Sequence, residues 1–100
     1  MNMVLTEKHF ILLYHYVKRH GRTFTKQQLR AFARKMGYDY ADETIARIIR
    51  YFQEANLVRE YKRLKRGRKV YIVTDDFFSI PFVKWLEQVS STKADRNEAT

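Results

Sequence analysis

Arg47 and Arg50 lie three residues apart, with Tyr51 beside them and Thr44 just before. On a helix that spacing sets both guanidinium groups on one outward face. Each is a planar fork of N–H donors suited to phosphate oxygens or to paired acceptors. Further along, Arg59, Lys62, Arg63, Lys65, Arg66, Arg68 and Lys69 crowd together with Glu60 as the one acid among them. Such a cluster repels itself, and the repulsion is relieved when the cations face phosphates and displace counterions. Thr25 and Lys26 open a third basic stretch that includes Arg30, Arg34 and Lys35. They stand where a helix begins and free backbone amides suit an anion. The chemistry these residues offer is polyanion binding. Each group also has a plainer use. Glu43 can pair with Arg47 across one turn of a solvated helix, and basic residues on an edge strand guard against aggregation.

Composition points the same way. The chain has 100 residues and a formal charge of +9. The excess is uneven: residues 1–74 hold 17 Lys or Arg against 6 Asp or Glu, whereas residues 75–100 hold 3 against 5. A basic body of this kind favours a polyanion partner. With 45% hydrophobic residues the chain has the means to fold around a single modest core. The absence of cysteine excludes a disulfide framework and a thiolate metal site. His9, His15 and His20 lack clustered carboxylate partners, so no metal is expected. No glycine-rich phosphate loop is present, so no cofactor is expected either. No nucleophile, base and orienting group are legible together, and an enzyme is not expected. The apolar run 10–14 is too short to span a bilayer, and no cleavable leader pattern stands at the start. These features lead to an expectation of a soluble cytoplasmic protein.

Four amphipathic stripes must position the basic groups. Thr6 is placed to cap a first helix, with Leu5 and Phe10 as a hydrophobic staple and Phe10, Leu13, Tyr14 and Val17 on one face, ending at Gly21. Thr25 and Gln28 fit a capping box for a second helix, stapled by Phe24 and Leu29. Its stripe is Leu29, Phe32, Ala33 and Met36, and Gly37 stops it. After a connection over 38–41, Asp42 is placed to cap a third helix bearing Ile45, Ile48, Ile49 and Phe52. Asn56 is its left-handed terminator. The pattern then changes to two strands, 57–64 and 69–74, around a turn that Gly67 permits. Residues 75–78 read as a linking turn. Pro81 fits only a first helical turn, so a last helix starts near Ser79 and carries Phe82, Trp85, Leu86 and Val89. A domain over 1–89 and a flexible polar tail over 90–100 are expected.

This order, α-α-α-β-β-α in a mostly helical α+β chain, resembles the winged helix-turn-helix family. The residues that carry the likeness are Leu29–Gly37 (LRAFARKMG), Glu43–Arg50 (ETIARIIR) and Ala55–Val58 (ANLV), and it spans residues 6–74. The resemblance implies a double-stranded DNA partner and a role in transcription regulation, of the kind found in archaea, their viruses or plasmids. It implies that the third helix enters the major groove, so that Thr44, Arg47, Arg50 and Tyr51 face base edges, where arginine reads guanine with two hydrogen bonds. It implies that the hairpin is a wing gripping backbone or minor groove through Arg63, Lys65, Arg66, Arg68 and Lys69. Thr25 and Lys26 would add backbone contacts that position without reading sequence.

The first helix is apolar on more than one side. That surplus, with the last helix, suggests a second buried surface made by Ile11, Leu12, Tyr16, Phe82, Trp85 and Val89. A homodimer uses it most simply. The alternative is that the last helix folds back over the first within one chain. A different reading also stays open: a protein-interaction winged helix, docking through these apolar faces within a replication, partition, transcription or RNA-processing assembly.

Overall fold

Thr25 begins a helix in the way its spacing to Gln28 predicts. Its Oγ1 accepts the Gln28 N–H at 3.1 Å, while the Gln28 Oε1 accepts the Thr25 N–H at 2.9 Å. The computed structural model describes residues 5–99, with side chains for 5–90. Within it the elements run α1 (Glu7–His20), β1 (Thr23–Thr25), α2 (Lys26–Lys35), α3 (Asp42–Glu54), β2 (Val58–Arg63), a 3-10 turn (Lys65–Gly67), β3 (Lys69–Val73), α4 (Asp75–Ser79) and α5 (Pro81–Ala99). The expected polar tail over 90–100 lies, but for Ser90, outside the described side chains.

The helix ends follow local chemistry, with two departures. At α1 the Thr6 N–H donates to Nδ1 of His9 at 3.1 Å, so a histidine takes the place of the usual Glu or Gln of a capping box. At α3 the cap is Ala41, not Asp42. Asp42 is the first helical residue, and its carboxylate turns aside to Lys26, whose Nζ stands 2.9 Å away. Gly37 leaves α2 at φ 95°, and Asn56 leaves α3 at φ 62°, both in the left-handed region where Gly and Asn are tolerated. The connection between α2 and α3 is held tightly. Tyr38 and Tyr40 stack at 5.7 Å, and Arg30 Nε donates to the Tyr40 carbonyl at 3.1 Å.

The sheet has a third strand that the hydrophobic pattern did not disclose. Residues 23–25 pair antiparallel with β3, giving the order β1-β3-β2. Three residues are too few for an alternating pattern to emerge. The strand exists because Phe24 lies opposite Tyr71 and stacks on it at 5.6 Å. Tyr16 helps to seat it, its hydroxyl donating to the Thr23 carbonyl at 3.3 Å. Between β2 and β3 the register slips by one at Tyr61. Plain alternation would put Glu60 and Lys62 on the same face. The bulge instead pairs Lys62 with Val70 and Arg63 with Lys69, so Arg63 joins Glu60 and Lys69 on one face.

The core joins these layers. Leu13, Ala33, Ile45, Ile48, Phe77 and Val83 are fully buried, drawing one element after another into a single cluster. Phe10 binds four elements together. It meets Phe52 edge-on at 5.4 Å, stacks on Phe77 at 6.0 Å and reaches Phe82 at 6.4 Å. The expected linking turn after β3 is the one-turn helix α4, and Phe77 on it is 0% exposed. Helix α5 then folds back against α1 in the same chain, with an exposed ion pair between Lys18 and Glu87 at 3.4 Å.

Candidate nucleic-acid interface

Helix α3 buries Ile45, Ile48, Ile49 and Phe52, and the helical period therefore turns Glu43, Ala46, Arg47 and Arg50 outward. Arg47 and Arg50 are exposed, and neither has an ion-pair partner among the described residues. The Glu43–Arg47 pair that the spacing allowed is thus not formed. Arg50 lies with its guanidinium carbon 5.9 Å from the centre of the Tyr51 ring, so the half-buried tyrosine supports it from one side. Thr44 is half-buried near the start of the helix.

The hairpin presents its tip by backbone geometry. The Leu64 N–H donates to the Arg68 carbonyl at 2.6 Å and closes the turn. Inside it, Arg66 at φ 66° and Gly67 at φ 73° are both left-handed. Lys65, Arg66 and Arg68 are exposed and have no ion-pair partner among the described residues. The strand residues just below the tip differ. Glu60 lies 3.4 Å from Arg63 and 3.7 Å from Lys69, so the one wing acid is shared by two of its cations.

Helix α2 meets the hairpin across a cleft of ≈ 350 Å³ lined by Thr25, Lys26, Gln27, Ala46, Gly67, Arg68, Lys69 and Tyr71. Residues from α2, α3 and the wing that lie far apart in sequence converge there. Of the expected contact residues, Thr25, Lys26, Arg68 and Lys69 are brought together at this cleft. Thr44, Arg47, Arg50, Tyr51, Arg63, Lys65 and Arg66 lie outside its lining, on the helix and hairpin that flank it. The Thr25 N–H is already held by the Gln28 side chain. The first amides left without an intrahelical carbonyl are those of Lys26 and Gln27. Lys26 is itself paired with Asp42 at 2.9 Å. Sequence reasoning missed Ala46, Gln27 and Tyr71. Ala46 was open to detection, since it belongs to the same outward stripe as Glu43, Arg47 and Arg50.

The apolar surface expected for a dimer is redistributed. Leu12 and Tyr16 are 1% and 4% exposed, packed inside the core of one chain, and cannot face a second copy. Tyr16 instead packs on Phe24 and Phe32 at 5.8 and 5.4 Å. Ile11, Phe82 and Val89 are half-buried. Trp85 remains 53% exposed, stacked on Phe82 at 5.7 Å. Among the described residues no helix is long and apolar enough to cross a membrane, and no group of three or more His, Asp or Glu side chains is placed to hold a metal ion.

No protein-family model matches the sequence, and no curated protein sequence matches it. Solved structures do resemble it. F93 from STIV, a winged-helix DNA-binding protein, superposes with a TM-score of 0.63 at 16% identity, covering 85% of this chain and 89% of F93. A chain from a structural study of the DNA recognition and protein interaction domains of HOP2 superposes with a TM-score of 0.52 at 12% identity, over 66% of this chain and 98% of its own. With the helix order, the basic hairpin and the three-stranded antiparallel sheet, these likenesses show that the chain has the winged helix-turn-helix fold.

Proposed function

We propose that this protein binds double-stranded DNA and acts as a dimeric transcriptional regulator rather than an enzyme. Helix α3 enters the major groove with Arg47 and Arg50 toward base edges, and the wing grips backbone or minor groove through Lys65, Arg66 and Arg68. One observation carries this reading above the rest. Cations from α2 and the wing converge on a cleft beside α3, and the arginines of α3 and the wing tip have no ion-pair partner among the described residues. A merely solvated surface has no need to gather like charges from two separate elements. The DNA-binding character of F93 and the DNA recognition described for HOP2 support the same partner.

A fluorescence-anisotropy titration with a random duplex and with single-stranded DNA, repeated across salt, tests the proposal. Preference for duplex, with log affinity falling linearly against log salt, is the expected outcome. Absence of duplex binding at low salt would overturn it. The exposed Trp85 would then mark the docking face of a protein-interaction subunit.

A further inference from the structure

The cleft between α2 and the wing has two lysines in its lining, and each is already held by a carboxylate of the protein itself. Lys26 Nζ lies 2.9 Å from Asp42 Oδ2, and Arg30 Nη1 lies 3.9 Å from Oδ1 of the same carboxylate. On the opposite wall Lys69 Nζ lies 3.7 Å from Glu60 Oε1, and Arg63 Nε lies 3.4 Å from Oε2. The arrangement is the same on both sides, with one acid spanning two cations. It is not a by-product of local sequence. Asp42 reaches across 16 residues to Lys26, and Glu60 meets Arg63 only because the Tyr61 bulge turns them to one face. The third cleft cation, Arg68, has no such partner among the described residues.

Neither carboxylate belongs to the cleft lining, and each holds its lysine's ammonium group from beside it. The side chains of both pairs are 38–51% exposed. Exposed pairs of this kind contribute little to folding. What they do change is the charge shown to a polyanion. A phosphate that pairs with Lys26 or Lys69 must compete with the carboxylate already paired there, and like charges brought together suppress sequence-independent association.

We infer that Asp42 and Glu60 restrain the cleft, each withholding one of its lysines from non-specific DNA backbone and so lowering affinity for random duplex. The inference rests on the DNA-binding reading and refines it, by assigning to two acids a part in discrimination. It also explains why Asp42 forgoes capping α3.

The test compares wild type with Asp42→Asn, Glu60→Gln and Glu87→Gln. Random-sequence duplex is titrated by anisotropy across salt, and each variant's melting curve is recorded. Asp42→Asn and Glu60→Gln should each bind more tightly than wild type at low salt and show a steeper salt dependence. One extra phosphate contact adds about 0.9 to the slope, or roughly threefold between 50 and 200 mM salt. Glu87→Gln adds the same formal charge on the α1–α5 side and should leave binding near wild type. Unchanged affinity and slope in both cleft variants would overturn the inference, and so would equal tightening by Glu87→Gln, which makes the effect one of net charge alone. Should one cleft variant melt early, the other decides. Wild type that fails to bind duplex at low salt strikes instead at the DNA-binding reading itself, a separate result.

Discussion

Arg47 and Arg50 differ from the other cations near the cleft in what holds them. Lys26, Arg63 and Lys69 are tethered to acids, while Arg50 rests against Tyr51 and Arg47 stands free among the described residues. Base reading needs free donors at a fixed position, so Arg47→Ala and Arg50→Ala should each cost about 1–3 kcal/mol on a selected site and relax choice at one base position. Equal losses on selected and random duplex would assign them to the backbone instead. A second residue-scale prediction concerns His9. Burial pushes its pKa below the ordinary 6.5, and its Nδ1 must stay unprotonated to accept the Thr6 N–H. His15 is lowered too, by burial first and by Arg19 second. With the folded values depressed, the unfolded chain takes up protons first as pH falls through 6.5. Stability is therefore complete above that pH and declines as the medium is acidified toward the folded-state values. Melting temperature should drop between neutral pH and about pH 5, before carboxylates titrate. His9→Gln, which keeps an acceptor for the Thr6 N–H, should lessen the drop. An undiminished drop in that variant would place its origin elsewhere.

The wing shows how an element separates folding from binding. Arg66 holds φ 66°, a conformation that costs a side-chain-bearing residue roughly 1 kcal/mol. Arg66→Gly removes that strain and an exposed cation of the wing tip together. Its melting temperature should stay near or above that of wild type, while affinity for random duplex falls and the salt slope shallows by about 0.9. Unchanged binding would remove the wing tip from the interface. Helix α4 shows the converse. Phe77→Ala empties a fully buried site where Phe10 and Phe52 meet it, and should cost about 3–5 kcal/mol by denaturant titration. A loss below about 1 kcal/mol would mean that the site collapses without a cavity. The two elements also mark how far the sequence is readable. The helices of the three-helix unit were legible because their stripes and caps are local: Thr25 with Gln28, Gly37, Asn56. The hairpin was legible from its β-branched run around Gly67. Strand β1 and the burial of Phe77 were not, because pairing partners and core contacts from distant elements create them. The basic groups of the site were visible one by one. Their meeting at a cleft, and the carboxylates that hold two of them, depend on a bulge and on a 16-residue reach between helices that no local pattern encodes.

At the scale of the whole molecule, the basic cleft and the exposed tryptophan belong to different elements. The cleft is lined by Thr25 and residues of α2, α3 and the wing, and among the described residues none of α1 or α5 takes part in it. The exposed tryptophan is on α5, in the segment 75–100 where acids outnumber bases, 5 to 3. In a protein this basic, a contact between two copies costs least where acids outnumber bases. A two-fold contact requires a patch that fits itself. Trp85 stacked on Phe82, with half-buried Val89 one turn further along α5, offers a patch of that kind, though a smaller one than the sequence suggested once Leu12 and Tyr16 are counted inside the core. Interface tryptophans of this sort commonly carry about 2 kcal/mol or more of association energy. Trp85→Glu should therefore yield a monomer in sedimentation equilibrium at concentrations where wild type is dimeric, with the far-UV spectrum preserved. Trp85 is also the 1 tryptophan of the chain, so its emission should shift to the red as wild type is diluted through dissociation. The duplex readout then links the two surfaces. The monomeric variant should bind a duplex carrying two half-sites far more weakly than wild type, yet match it on a single half-site, because the cleft and α3 are untouched. Emission that does not change with concentration, together with a monomeric wild type well above micromolar, would dissociate the apolar patch from self-association and leave a winged helix that meets DNA as a single unit.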